Sequence, residues 1–111
     1  MILYINTKDQ KEIRVSLKEK GKVVKSLTAK NEYGSQVLLS LIFKLLRTYT
    51  PGVSSQFHSG SAKWKNLDGT EVETGPGSFT GLRVGVSVAN ALGFALGIPV
   101  NGKKLETELV Y

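Results

Sequence analysis

The segment from Gly75 to Val100 constrains the fold more than any other part of the chain. It joins a glycine-proline corner, Gly75-Pro76-Gly77-Ser78-Phe79-Thr80-Gly81-Leu82-Arg83, to a long uncharged stretch in which Gly81, Gly85, Ala89, Gly93 and Gly97 recur at every fourth position. On a helix that spacing makes one slowly winding row of small side chains, along which another backbone can approach closely. Val84, Val88, Leu92 and Leu96 form a parallel row of large apolar residues. Interior glycine costs a helix roughly 1 kcal/mol relative to alanine, so Gly85 and Gly93 need a close contact to offset them. The pattern predicts a helix from about Thr80 to Leu96 and a short strand at Ile98 to Val100.

The corner itself supports two readings. The first turn of a helix leaves N–H groups unpaired and carries partial positive charge, and glycines admit a ligand, so Gly75 to Gly81 could hold a phosphate. A P-loop, however, needs Lys then Ser or Thr after its second glycine, and a dinucleotide fold needs G-x-G-x-x-G after the first strand. Here the glycines lie late in the chain, two and four apart, with no lysine beside them. The other reading is architectural, with Ser78 or Thr80 as a plain N-cap.

The remainder reads as a small α/β lobe. Ile2 to Ile5 is a short apolar run, and Ile13, Val15 and Leu17 alternate with Arg14, Ser16 and Lys18 as in a strand with one wet face. A turn at Lys20-Gly21 leads to a returning strand at Val23 to Leu27. A helix follows from about Tyr33 to Thr48, stopped by Pro51-Gly52. Residues 51–66 lack periodicity and form a loop, and a weak strand spans Gly69 to Thr74. The predicted order is βββαβαβ: a single lobe over residues 1–111 with a mixed five-strand sheet and two main helices. Lys103 to Tyr111 could begin a third helix.

Between Val37 and Leu46 eight of ten residues are large and apolar, while Gln36, Ser40, Lys44 and Arg47 form one narrow polar stripe. A helix lying on a sheet needs an apolar face only somewhat wider than 100°. The excess requires a second layer or another molecule.

Val84 to Gly102 is nineteen residues without a charge, long enough for a membrane span. Gly85, Ser87, Asn90, Gly93, Gly97, Pro99 and Asn101 lower its hydrophobicity, and a helix buried in a soluble protein is expected instead. The chain has no cysteine and opens on a strand pattern rather than a signal peptide, so the expected compartment is the cytoplasm. Residues 1–50 carry ten basic and four acidic side chains and account for the whole net charge of +6. That excess could meet a nucleic acid backbone or simply solvate a lysine-rich sheet edge. No aromatic residues interleave with the lysines to stack bases.

The run GPGSFTGLRVGVSVANALGFALGIPV, residues 75–100, resembles the hallmark segment of the TsaB family, bacterial proteins of tRNA threonylcarbamoyladenosine (t6A) biosynthesis. The resemblance implies an actin-like, ribonuclease H-like amino-terminal lobe, with the second lobe of such proteins absent. It implies a non-catalytic accessory role, without cofactor, metal or catalytic residue, beside the related transferase TsaD. Partners implied are a TsaD-like protein or a second copy of the chain, a TsaE-like ATPase in a larger complex, and tRNA only indirectly. The family's helix-helix interface maps onto Leu38, Leu41, Ile42 and Leu45 of the first helix and Gly85, Val88, Ala89, Leu92, Gly93 and Leu96 of the second. The motif loop comprises Gly75, Pro76, Gly77, Ser78, Phe79, Thr80, Gly81 and Arg83. Arg83, at a helix start, opposes the dipole and so calls for a carboxylate or carbonyl partner.

Two departures matter. Where actin-like enzymes place an aspartate after the first strand, this chain has Asn6-Thr7-Lys8, and a neutral amide is neither a general base nor a strong Mg²⁺ ligand. Glu71 and Glu73 also lie in a strand that is ordinarily apolar; with Asp68 they read as a wet face. His58 and Trp64, in the loop, read as surface decoration and a loop tack. The competing functions are an actin-like nucleotide-binding phosphotransferase lobe using Gly75 to Gly81, and a basic tRNA-binding module built on the lysines of the first thirty residues.

Overall fold

A computed structural model of the chain describes residues 1–9, 11–30, 35–48, 67–77 and 79–109. Its centre is β1 (Ile2–Asn6), which pairs antiparallel with β2 (Glu12–Glu19) and parallel with β4 (Gly69–Val72). β3 (Lys22–Lys30) pairs antiparallel with β2, so the sheet order is β3-β2-β1-β4. Lys20 and Gly21 both take positive φ, 53° and 80°, the combination that a tight hairpin turn requires.

Register follows from alternation. Leu3 sits opposite Leu17, Ile5 opposite Val15, and Val15 in turn opposite Leu27, which puts the apolar residues of three strands on one face. That face is covered by α1 (Ser35–Thr48), lying against β2 and β3, and by α2 (Phe79–Leu96), lying against β4 and β1. The two helices also touch each other. Leu3, Ile5, Val15, Leu17, Leu38, Ile42, Leu45 and Ala89 are fully buried in one continuous core. The opposite face of the sheet carries Tyr4, whose hydroxyl donates to Glu73 Oε2, and Lys18, which lies 4.5 Å over the Tyr4 ring and 3.0 Å from Glu71 Oε1.

Among the described residues the sheet has four strands where five were predicted. Only Val100 forms a bridge, parallel to Thr70, at the place of the expected strand from Ile98 to Val100. Pro99 has no N–H to give, and Asn101 and Gly102 take positive φ (52° and 76°), so the chain turns back at once and Val100 N–H donates to Lys103 C=O at 2.7 Å. The strand expected to reach Thr74 ends at Val72. The third helix expected from Lys103 does not form over residues 103–109. There the backbone N–H and C=O of Glu106 bond to the Asn90 side chain instead of to a helical neighbour. The loop over 51–66, with His58 and Trp64, lies outside the described residues, as does Ser78.

Candidate functional site

The motif corner packs on the residues that follow β1. A Cβ at Gly77 would lie 2.6 Å from Lys8 Cβ and 2.7 Å from Lys8 carbonyl oxygen, so only glycine lets the two segments meet. Thr7 is buried, and its hydroxyl donates to Gly81 C=O in the first turn of α2 at 2.5 Å. One turn later, a Cβ at Gly85 would collide with the same Thr7 hydroxyl. Gly93 performs the same service further along, where a side chain would meet Val100 Cγ2 and the Ile98 carbonyl. Gly97, at φ +68°, ends the helix, and Ile98 N–H returns to Gly93 C=O at 3.0 Å in a Schellman closure. Gly85 and Gly93 of the small-residue row therefore face this chain's own segments, at Thr7 and at Ile98 to Val100. Asn6 turns its Oδ1 to the Lys8 N–H at 3.2 Å.

The residues assigned to a helix-helix interface are placed accordingly. Leu38, Ile42 and Leu45 are fully buried and Leu41 nearly so, all under the sheet. Ala89 is fully buried, Val88 is buried, and Leu92 and Leu96 are partly buried against the core. What α1 turns outward is Leu39, Ser40, Phe43, Lys44 and Arg47, with Leu39 46% and Phe43 40% exposed. α2 turns outward Thr80, Arg83, Ser87, Ala91, Phe94 and Ala95, and Phe94 is 92% exposed. The two helices thus turn three large apolar side chains outward, Leu39 and Phe43 on α1 and, beside Pro99 and Leu105, Phe94 on α2. Leu39, Phe43 and Phe94 escaped the sequence reading, although a signal existed. Leu39 and Phe43 flank the polar stripe of Ser40, Lys44 and Arg47, and the stripe marks the side that points away from the sheet.

A further cluster had no sequence signal at all. The Asn90 side chain clips the backbone of Glu106, accepting from its N–H at 2.7 Å and donating to its C=O at 2.8 Å. The Glu106 carboxylate, only 6% exposed, accepts from Asn101 Nδ2 at 2.8 Å, Lys103 Nζ at 2.9 Å and Thr107 N–H at 3.1 Å. Burial alone would raise its pKa, but the Asn101 amide and the Lys103 ammonium overcome that and hold it down at about 2. The hydrogen bond to Glu106 in turn raises the pKa of Lys103. These contacts fasten residues 101–108 to α2 and to the β4 edge. They are ties within the lobe.

Among the described residues no cluster of His, Cys, Asp or Glu could hold a metal ion, and no helix is long and apolar enough to cross a membrane.

Comparison with known proteins follows the same segment. Residues 46–102, more than half of the chain, match the family model of the tRNA N6-adenosine threonylcarbamoyltransferase TsaD. The fold superposes on YeaZ from Pseudomonas aeruginosa with a TM-score of 0.66 and 28% sequence identity, covering 89% of this chain and 42% of that one. An uncharacterized protein of Mycobacterium leprae is 49% identical over 53 residues, which is 48% of this chain and 15% of the relative. A tRNA N6-adenosine threonylcarbamoyltransferase of Tropheryma whipplei is 55% identical over 38 residues, 34% of this chain and 10% of the relative. The chain thus spans between a tenth and a quarter of the curated relatives it matches, and about two fifths of the solved structures. On the extent of the family match and the shared fold, the chain belongs to the TsaD family and has the form of a YeaZ (TsaB)-like lobe.

Proposed function

We propose that this chain is a non-catalytic partner of a TsaD-like protein in t6A formation at adenosine 37 of tRNA, docking through the outer surface of α1 and α2. The observation that carries the reading is the exposure of Leu39, Phe43 and Phe94 on one two-helix layer whose inner side is already packed. Large apolar side chains gathered into an exposed patch mark an interaction site, whereas those scattered singly are ordinary surface. The t6A context comes from the family and from the transferase relative.

An accessory role suits the corner as well. The glycines that could have cradled a phosphate are occupied by contacts with Thr7 and Lys8, and Asn6 supplies no carboxylate. A partner of this kind stabilises or orders the transferase without chemistry of its own. In the cytoplasm, a TsaE-like ATPase would join the resulting complex.

The test is co-purification with the TsaD-like protein of the same host, read by light scattering. Phe43→Asp and Phe94→Asp, both at exposed positions, should each weaken the complex by about tenfold or more while leaving the thermal midpoint of the isolated chain in place. A complex indifferent to both changes refutes docking through this layer. A rise in the midpoint on adding ATP would favour the phosphotransferase reading instead.

A further inference from the structure

The two edges of the sheet are finished differently. At the β4 edge Thr70 N–H donates to Pro99 C=O, Asn101 N–H donates to Thr70 C=O, and the Asn101 side chain takes both backbone groups of Val72. At the other edge β3 pairs with β2 on one side, and on its outer side no described segment bonds to its backbone. The strand contains no carboxylate, and Lys22, Lys25 and Lys30 make no ion pair among the described residues. The carboxylates nearest in register, Glu19 opposite Lys22 and Glu12 opposite Lys30, sit on β2, on the inner side of the strand, and Glu12 lies 3.8 Å from Arg14. A register irregularity between Leu17 and Lys18 breaks the ladder beside Val24. The regular run of the edge is therefore Lys25 to Lys30, with a lysine at each end and Ser26, Leu27, Thr28 and Ala29 between them.

We infer that this edge docks an extended segment of a partner protein, which adds to the sheet as a further strand beside β3 and carries a carboxylate at each end of a short β-branched run. The N–H and C=O groups along an open edge are satisfied by an incoming backbone, and side chains then select which backbone it is. Lysines deter a strand of the same kind. Two copies pairing antiparallel about the middle of this run would set Lys25 against Lys30 twice, with no carboxylate on either strand. The same lysines favour an acidic strand. Because they stand at both ends of the run, carboxylates at both ends of the segment meet them whether it enters parallel or antiparallel. An RNA backbone would answer the lysines but leave the amide and carbonyl groups of the edge unpaired, and β3 has no aromatic side chain on which a base could stack. The site lies on a sheet edge and does not rest on docking through α1 and α2.

The probe is the capped, fluorescently labelled peptide Glu-Thr-Val-Thr-Val-Glu, titrated with the full chain and read by anisotropy. It should bind at least about tenfold more tightly than Lys-Thr-Val-Thr-Val-Lys at low salt, and its amide shift changes on the protein should centre on Lys25 to Lys30. Methylating the backbone nitrogens of its central residues keeps both carboxylates and removes the ladder donors, so binding should fall by about tenfold or more. On the variant K25E/K30E, with its fold checked by circular dichroism, the preference between the acidic and basic peptides should invert. Should that variant fail to fold, the methylated peptide on the wild-type chain decides. Equal binding of the acidic and basic peptides, shifts centred elsewhere, or no loss on methylation each overturns the inference. Oligouridylate binding as tightly as the acidic peptide would make the edge a surface for polyanions and overturns strand addition equally.

Discussion

The side-chain amide of Asn101 serves as one more peptide unit on the edge of β4. It accepts from Val72 N–H through Oδ1 at 2.8 Å and donates to Val72 C=O through Nδ2 at 3.1 Å. The remaining amide hydrogen goes to Glu106 Oε1 at 2.8 Å, which fixes the orientation of the amide, since a flipped group would present an oxygen to a carboxylate. The single bridge at Val100 is thus extended along β4 by a side chain, and the left-handed backbone of Asn101 (φ 52°) puts the amide within reach.

Removing that amide should expose the edge. Asn101→Gly keeps the backbone conformation and deletes the two bonds to Val72, so urea denaturation should show a loss of about 1–3 kcal/mol. Asn101→Asp should be worse at neutral pH, because it sets a carboxylate against Glu106 where a donor stood. The deficit of the aspartate relative to the glycine variant should shrink below about pH 4, as one carboxylate takes a proton. An Asn101→Asp chain as stable as wild type at pH 7 would contradict the assignment.

Glu106 gives the acid limb of stability its sign. Its pKa in the folded chain, about 2, lies below the ordinary value of 4.5, so the folded state binds this proton less tightly than the unfolded state. The contribution is complete above the unfolded value and is lost as pH falls from about 4.5 towards 2. Glu106→Gln should therefore lower stability at pH 7 and flatten the dependence over that window, as seen in denaturation midpoints between pH 2 and pH 6. Lys103→Met should reproduce part of the flattening, since Lys103 Nζ supports the carboxylate at 2.9 Å. A Glu106→Gln chain that keeps the wild-type acid slope would place the titration elsewhere.

The helices test which side of an apolar pattern faces in. Ile42 is fully buried and its neighbour Phe43 is 40% exposed, although both are large and apolar. Ile42→Ala should cost about 2–5 kcal/mol, whereas Phe43→Ala should stay within roughly 0.5 kcal/mol in the isolated chain. Ala89→Arg belongs with the first group, because Ala89 has no exposed surface and a buried guanidinium unfolds the lobe before it can report on a partner. Equal effects at positions 42 and 43 in thermal melts would mean that the helix is turned differently on the sheet.

Hydrophobic period recovered the elements because it reports burial, and burial against a sheet sets both strand alternation and helix stripes. The hairpin at Lys20-Gly21, the two helices and the strand beginning at Gly69 were legible for that reason, but not that this strand pairs parallel with β1. The outward face was legible only through Ser40, Lys44 and Arg47, since a helix apolar nearly all round hides its own orientation. What period cannot report is a side chain replacing backbone. Asn90 and Asn101 look like ordinary polar interruptions of an uncharged run, yet their amides tie together segments 16 and 29 residues apart. The glycine row posed the opposite problem: its need for a close neighbour was plain, but the neighbour was Thr7, 74 residues before Gly81.

Gly85 and Thr7 supply the sharpest test of that row. In an open helix, glycine to alanine gains roughly 1 kcal/mol. Here a Cβ at position 85 would strike the Thr7 hydroxyl, which cannot swing aside without releasing Gly81 C=O inside a buried site. Gly85→Ala should therefore destabilise the chain, and Thr7→Ala should do so separately by removing the hydrogen bond. Together the two changes should cost less than their sum, because Thr7→Ala clears the space that the new methyl group needs. Denaturant midpoints of the two single variants and the double variant give the coupling directly. Additive losses would mean that Gly85 is retained for some reason other than its contact with Thr7.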